Sequence, residues 1–101
     1  MLYQQGDVLF HSVDECDLEK AKIHESDILV KGESTGHAHR VRGNPLVYAI
    51  AGALLIDAIK REVEVVHEEH TPIMLPAGHF WKVTQVQEYD HFKEEARVVR
   101  D

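Results

Sequence analysis

A chain of 101 residues with 44% hydrophobic and 29% charged side chains is sized for one globular domain and is too apolar to be read as disordered. Its 18 acidic against 11 basic residues give a formal charge of −7, which argues against nucleic acid and anionic membrane as partners, since both require clustered cations. A single cysteine, Cys16, excludes an internal disulfide and a cysteine-built zinc site. Residues 1–7 have no basic cluster followed by an apolar run, and the longest apolar stretch, residues 46–56, is interrupted by Gly52. No secretory leader or membrane span is expected, and the cytoplasm is the expected location.

Residues 8–13 follow a Gly6-Asp7 turn and read as a strand with apolar side chains on both faces. Residues 14–22 are acidic and poor in β-branched side chains, which fits a loop or one short helix. Residues 22–31 turn extended again around Ile28-Leu29-Val30. Residues 32–36 carry turn chemistry, because glycine reaches positive φ freely and Ser and Thr bond nearby backbone. Residues 37–42 are expected to be extended, with a turn at Gly43-Asn44-Pro45. Residues 46–50 and 53–59 are apolar runs on either side of Gly52. Asn44 and Pro45 would also suit the start of a helix reaching to about Glu69. The density of Val, Ile and Tyr, Gly52 in mid-run, and the alternation of Glu62-Val63-Glu64-Val65 favour strands instead. Pro72 and Pro76 bracket Ile73-Met74-Leu75, and Pro76-Ala77-Gly78 turns into a long strand over residues 79–89. A charged tail follows from about Asp90, with Val98-Val99 as a candidate edge strand. Together these segments predict a single all-β domain over residues 1–101, built as a small barrel, sandwich or jelly roll.

Eight of the residues are histidine, the side chain that titrates near neutrality and the commonest metal ligand. His37-Ala38-His39 on a strand would put two imidazoles on one face about 6.6 Å apart, able to lean toward one ion at about 2.0–2.1 Å. His67-Glu68-Glu69-His70 spaces two more at an interval that a straight strand sends to opposite faces. A bend before Thr71-Pro72 would bring them together. Glu68 and Glu69 offer carboxylates as ligands, as acceptors for an imidazole N–H, or as the base beside a metal-bound water. The spacing is one residue short of the His-Glu-x-x-His metalloprotease motif. The first reading is a divalent transition metal (Zn, Ni, Fe or Mn) on His37, His39, His67 and His70. A metal-free polar pocket and a rim of solvated histidines stand beside it.

Arg40 and Arg42 share a strand face and could clamp a small anionic ligand, or be simply solvated. His79 is a further candidate for the cluster. Trp81 reads first as core, with ligand stacking as the alternative. Acidic neighbours raise the Cys16 thiol, which argues against a nucleophile. His11, His24 and His91 read as surface residues.

Two resemblances arise at these residues. Gly32 with His37-Ala38-His39, and Pro76-Ala77-Gly78-His79, are similar to the two halves of the cupin pattern. That resemblance implies a double-stranded β-helix holding Fe, Mn, Ni or Zn on three histidines and a glutamate, with His37 and His39 as the first two ligands. This chain has no glutamate at the matching distance after His39, and Trp81 stands where the last histidine would be. Gln5-Gly6-Asp7-Val8-Leu9, Gly36-His37-Ala38-His39-Arg40, His67-Glu68-Glu69-His70 and Leu75-Pro76-Ala77-Gly78 together resemble a family of short uncharacterised bacterial and phage proteins. That likeness covers most of the chain and implies that the histidine clusters belong to a recurring design.

Two classes of function are therefore expected. One is a metal-binding β domain. The other is a non-catalytic binding or assembly module, a homo-oligomer that covers its sheet edges with Trp81, Phe80 and residues 46–59; an anionic small molecule at Arg40 and Arg42 is a variant of it.

Overall fold

The computed structural model describes residues 1–14, 16–32 and 36–86. The charged tail, its Val98-Val99 pair and the end of the long strand beyond Val86 lie outside the described residues. Among the described residues there is no helix, and the chain runs through ten strands. They are β1 (Leu2–Gln5), β2 (Val8–Val13), β3 (Lys22–Ile23), β4 (Ile28–Lys31), β5 (Ala38–Val41), β6 (Val47–Ile50), β7 (Ala53–Ala58), β8 (Val63–Val66), β9 (Ile73–Leu75) and β10 (His79–Gln85).

Turn chemistry sets the hairpins. Gln5 pairs with Val8, so Gly6-Asp7 is a two-residue loop. Gly6 takes φ +59 at its first central position, the pattern of a type II′ turn that glycine alone adopts freely. Ile50 pairs with Ala53, and both intervening residues are left-handed, Ala51 at φ 50 and Gly52 at φ 79. Two successive positive φ values define a type I′ turn and end any helix that Asn44-Pro45 might have begun.

The strands form two antiparallel sheets, one in the order β1-β2-β10-β7-β6-β3 and one in the order β4-β5-β8-β9. Among the described residues the outer strands of each sheet do not pair with one another, so the expectation of a closed barrel gives way to two open sheets. Their inner faces share one core. Val8 and Phe10 of β2, Ile56 of β7, and Trp81 and Val83 of β10 meet Val41 of β5, Val63 and Val65 of β8, and Ile73 and Leu75 of β9. Alternation along β8 and β9 buries Val63, Val65, Ile73 and Leu75 and turns Glu64 and Met74 outward, as a one-sided sheet requires. Trp81 is fully buried. Its indole N–H donates to the Pro76 carbonyl at 3.0 Å, and its ring stacks on Tyr3 at 5.4 Å.

One contact between the sheets positions the site. The tip of the β1–β2 hairpin reaches across to the four-stranded sheet, where the Gln5 amide donates to the carbonyls of Val65 and Thr71 at 3.1 and 3.0 Å.

Candidate metal centre

The β5–β8 ladder sets the first pair of rings. Arg40 pairs with Val66 and Val41 with Val65. One further step of that register places His39 opposite His67, and their ring centroids stand 4.4 Å apart. Beyond Val66 the chain leaves the ladder and bends through residues 68–70. The bend carries His70 back over His67, with centroids 4.7 Å apart, which a straight strand could not do. His70 lies 6.1 Å from His39 and nearly parallel to it. His37, just ahead of β5, meets His67 edge-on at 5.7 Å. Imidazoles sharing one tetrahedral ion at about 2.0–2.1 Å have ring centres roughly 5 Å apart, and the observed centroid spacings of 4.4 to 6.1 Å bracket that value.

Carboxylates flank the rings. Glu69 Oε1 is 3.4 Å from His37 Nδ1, and the Glu69 N–H donates to His67 Nδ1 at 3.1 Å. His37, His67 and Glu68 each present a ligand atom within 4.8 Å of the other two. Glu68 is already engaged, for its carboxylate accepts the Ala38 N–H at 3.0 Å and Arg40 at 2.9 Å. These bonds, the Ala38 N–H foremost, hold its carboxyl at about 2.

The hairpin tip closes the cluster from the other sheet. Gln5 Oε1 lies 2.8 Å from His39 Nδ1. Asp7 Oδ1 lies 3.7 Å from His39 Nε2, and its second oxygen accepts the Gln85 amide at 2.8 Å. Gly6 lies directly against His70. Burial pushes His39 down to about 4, and the neighbouring His67 and His70 add to that effect while Asp7 opposes it. Burial, then His70, lowers His67 as well. A ring that stays neutral at pH 7 keeps a lone pair for a ligand.

The remaining candidates fall elsewhere. Arg40 and Arg42 line a recess beside the cluster with Asp27, Val66, His67 and Glu68, but Arg40 is spent on Glu68. His79 does not join the other histidines. Its Nδ1 pairs with Asp14 at 2.9 Å and its ring meets Trp81 at 5.7 Å. His79 is thus not the further member of the cluster that the sequence suggested. Trp81 has no exposed surface to offer a ligand or a partner. His24, read as a surface residue, is half-buried and bonds the Ile28 carbonyl at 2.7 Å. The Cys16 thiol is raised, by burial first and by Asp57 and Asp17 after it.

Sequence reasoning passed over Gln5, Gly6 and Asp7, seeing only a turn. The available signal was Gln4-Gln5, two amides in a strand where apolar alternation was due.

Fold and site together define an all-β protein with a histidine cluster at the seam of two sheets. Over residues 4–85 the chain matches the family described as Domain of unknown function (DUF8820), and it belongs to that family. The matched stretch takes in the hairpin tip and all four clustered histidines. No curated protein and no solved structure matches the chain. Among the described residues no helix is long and apolar enough to cross a membrane.

Proposed function

We propose that this protein binds one divalent transition metal ion among His37, His39, His67 and His70, with Glu69 beside His37 as an oxygen donor or orienting group. The supporting observation is the packing of rings from both clusters, with centroids between 4.4 and 6.1 Å apart. Protonated imidazoles at that spacing repel one another, and a shared cation turns the same geometry into an attraction. A donor set made of imidazole suits Zn²⁺, Ni²⁺ or Fe²⁺ better than Mn²⁺, which favours oxygen. Binding through His67 Nε2 moves that ring's proton to Nδ1 and frees the Glu69 N–H, so loading is felt in the turn at residues 68–70.

The test is metal content and uptake. Protein prepared without chelator and titrated with Zn²⁺ is expected to take up one equivalent per chain. Uptake below about a tenth of an equivalent overturns the reading.

Self-association is the second reading. Among the described residues the outer strand β9 leaves a sheet edge unpaired and turns Met74 outward at 45% exposure, and an edge of that kind is a template for pairing with another chain. Light scattering at micromolar concentration is expected to give a mass above 11.5 kDa; a monomer removes this reading.

A further inference from the structure

The amide of Gln5 is over-determined. Gln5 has no exposed surface and His39 is 4% exposed, so water does not stand in for their partners. The two carbonyls facing Gln5, those of Val65 and Thr71, can only accept, so the amide must turn both N–H groups to them. Its oxygen is then left facing His39 Nδ1 at 2.8 Å. An oxygen that only accepts requires a proton on that ring nitrogen. Flipping the amide would set its oxygen against two carbonyls, losing both of those bonds to keep one with the ring.

We infer that Gln5 is a positioning residue that fixes His39 as the Nδ1–H tautomer and so presents Nε2 as the ligand nitrogen to the ion. The inference rests on the metal reading proposed above. Nε2 is the nitrogen on the side of Asp7, 3.7 Å away, and His39 packs against the rings of His67 and His70. The same side chain also organises the second cluster. Val65 lies two residues before His67, and Thr71 follows His70 directly. One amide from the six-stranded sheet therefore sets the ring of His39 and the two ends of the segment that carries His67 and His70. A ligand whose outer nitrogen is held in this way loses little freedom on binding, and outer partners of this kind are commonly worth about 10–100-fold in metal affinity.

The test reads the ring directly. Nitrogen-15 NMR of metal-free protein at pH 7 is expected to show His39 protonated at Nδ1, and Zn²⁺ is expected to shift Nε2. Gln5→Met keeps the length and removes the hydrogen bonds. It should lose the single tautomer and weaken Zn²⁺ binding by about 10–100-fold. Gln5→Glu keeps an acceptor for Nδ1–H and should recover the tautomer that Gln5→Met loses. Wild-type His39 protonated at Nε2, or equal Zn²⁺ affinity in wild type and Gln5→Met, overturns the inference while leaving the metal reading intact. A wild-type protein that takes up no Zn²⁺ overturns both. If Gln5→Met does not fold, the wild-type tautomer decides alone.

Discussion

Gly6, in the β1–β2 turn, and His70, in the bend after β8, touch so closely that a side chain on the glycine would have to displace the ring. A Cβ on Gly6 would stand 2.6 Å from His70 Nε2 and 3.0 Å from Cδ2, and the backbone there is left-handed at φ +59. Gly6→Ala is expected to destabilise the fold by about 1–2 kcal/mol from the backbone alone. It should also push the His70 ring away and weaken Zn²⁺ binding. Urea unfolding and a Zn²⁺ titration check the two effects separately. An alanine variant with unchanged affinity would show that His70 is not a ligand.

The metal-free protein should lose stability as pH falls from about 6.5 to about 4. His39 is held at about 4 in the fold against the 6.5 of an ordinary imidazole. Between those values the unfolded chain binds the extra proton, so unfolding grows easier as acid is added. The contribution is fully present above 6.5 and is lost on the way down to 4. It amounts to about 3 kcal/mol for His39, and the lowered His67 acts in the same direction. Urea denaturation in chelator at pH 7.0 and 4.5 measures it. His39→Met should flatten the profile, and an equally steep profile in that variant would assign the loss to other groups.

The β6–β7 turn holds a correctable strain. Ala51 sits at φ 50 ahead of Gly52 at φ 79, where a type I′ turn favours Asn-Gly. Alanine in the left-handed region costs roughly 1–2 kcal/mol, and asparagine tolerates it better. Ala51→Asn should raise stability by about 0.5 kcal/mol without altering Zn²⁺ affinity. Thermal melting is the check, and a lowered Tm would contradict the turn assignment.

Trp81 is the only tryptophan and is fully buried. Its fluorescence should be blue-shifted in the native protein and should move red in one step on unfolding. Trp81→Phe keeps the stack on Tyr3 and gives up the bond to Pro76, at about 1 kcal/mol. Trp81→Ala should cost about 3–5 kcal/mol. A native emission typical of water would contradict its place in the core.

What could be read ahead of the structure was local. Alternation at residues 62–65, the prolines around Ile73-Met74-Leu75, and Gly6, Gly52 and Gly78 mark strands and turns because each acts through its nearest neighbours. The partition of those strands into two sheets was not legible, since it depends on pairings such as β2 with β10, about seventy residues apart. The site divided in the same way. His37, His39, His67 and His70 stood out by type and spacing, yet His67 and His70 meet only because the chain bends after Val66. Gln5 stayed invisible because its partners lie 34, 60 and 66 residues away. The pair Gln4-Gln5 marks an irregular strand but shows nothing of those partners. His79, adjacent to a similar turn, carried the same local signal as the others and was drawn instead to Asp14.

The central claim is that rings from two distant stretches of chain share one ion. X-ray absorption at the zinc edge of the Zn²⁺-loaded protein tests it most directly. A first shell dominated by nitrogen at about 2.0–2.1 Å, with outer scattering from three or four imidazoles, is the predicted result. A shell of oxygen alone, or zinc held by a single imidazole, would contradict it.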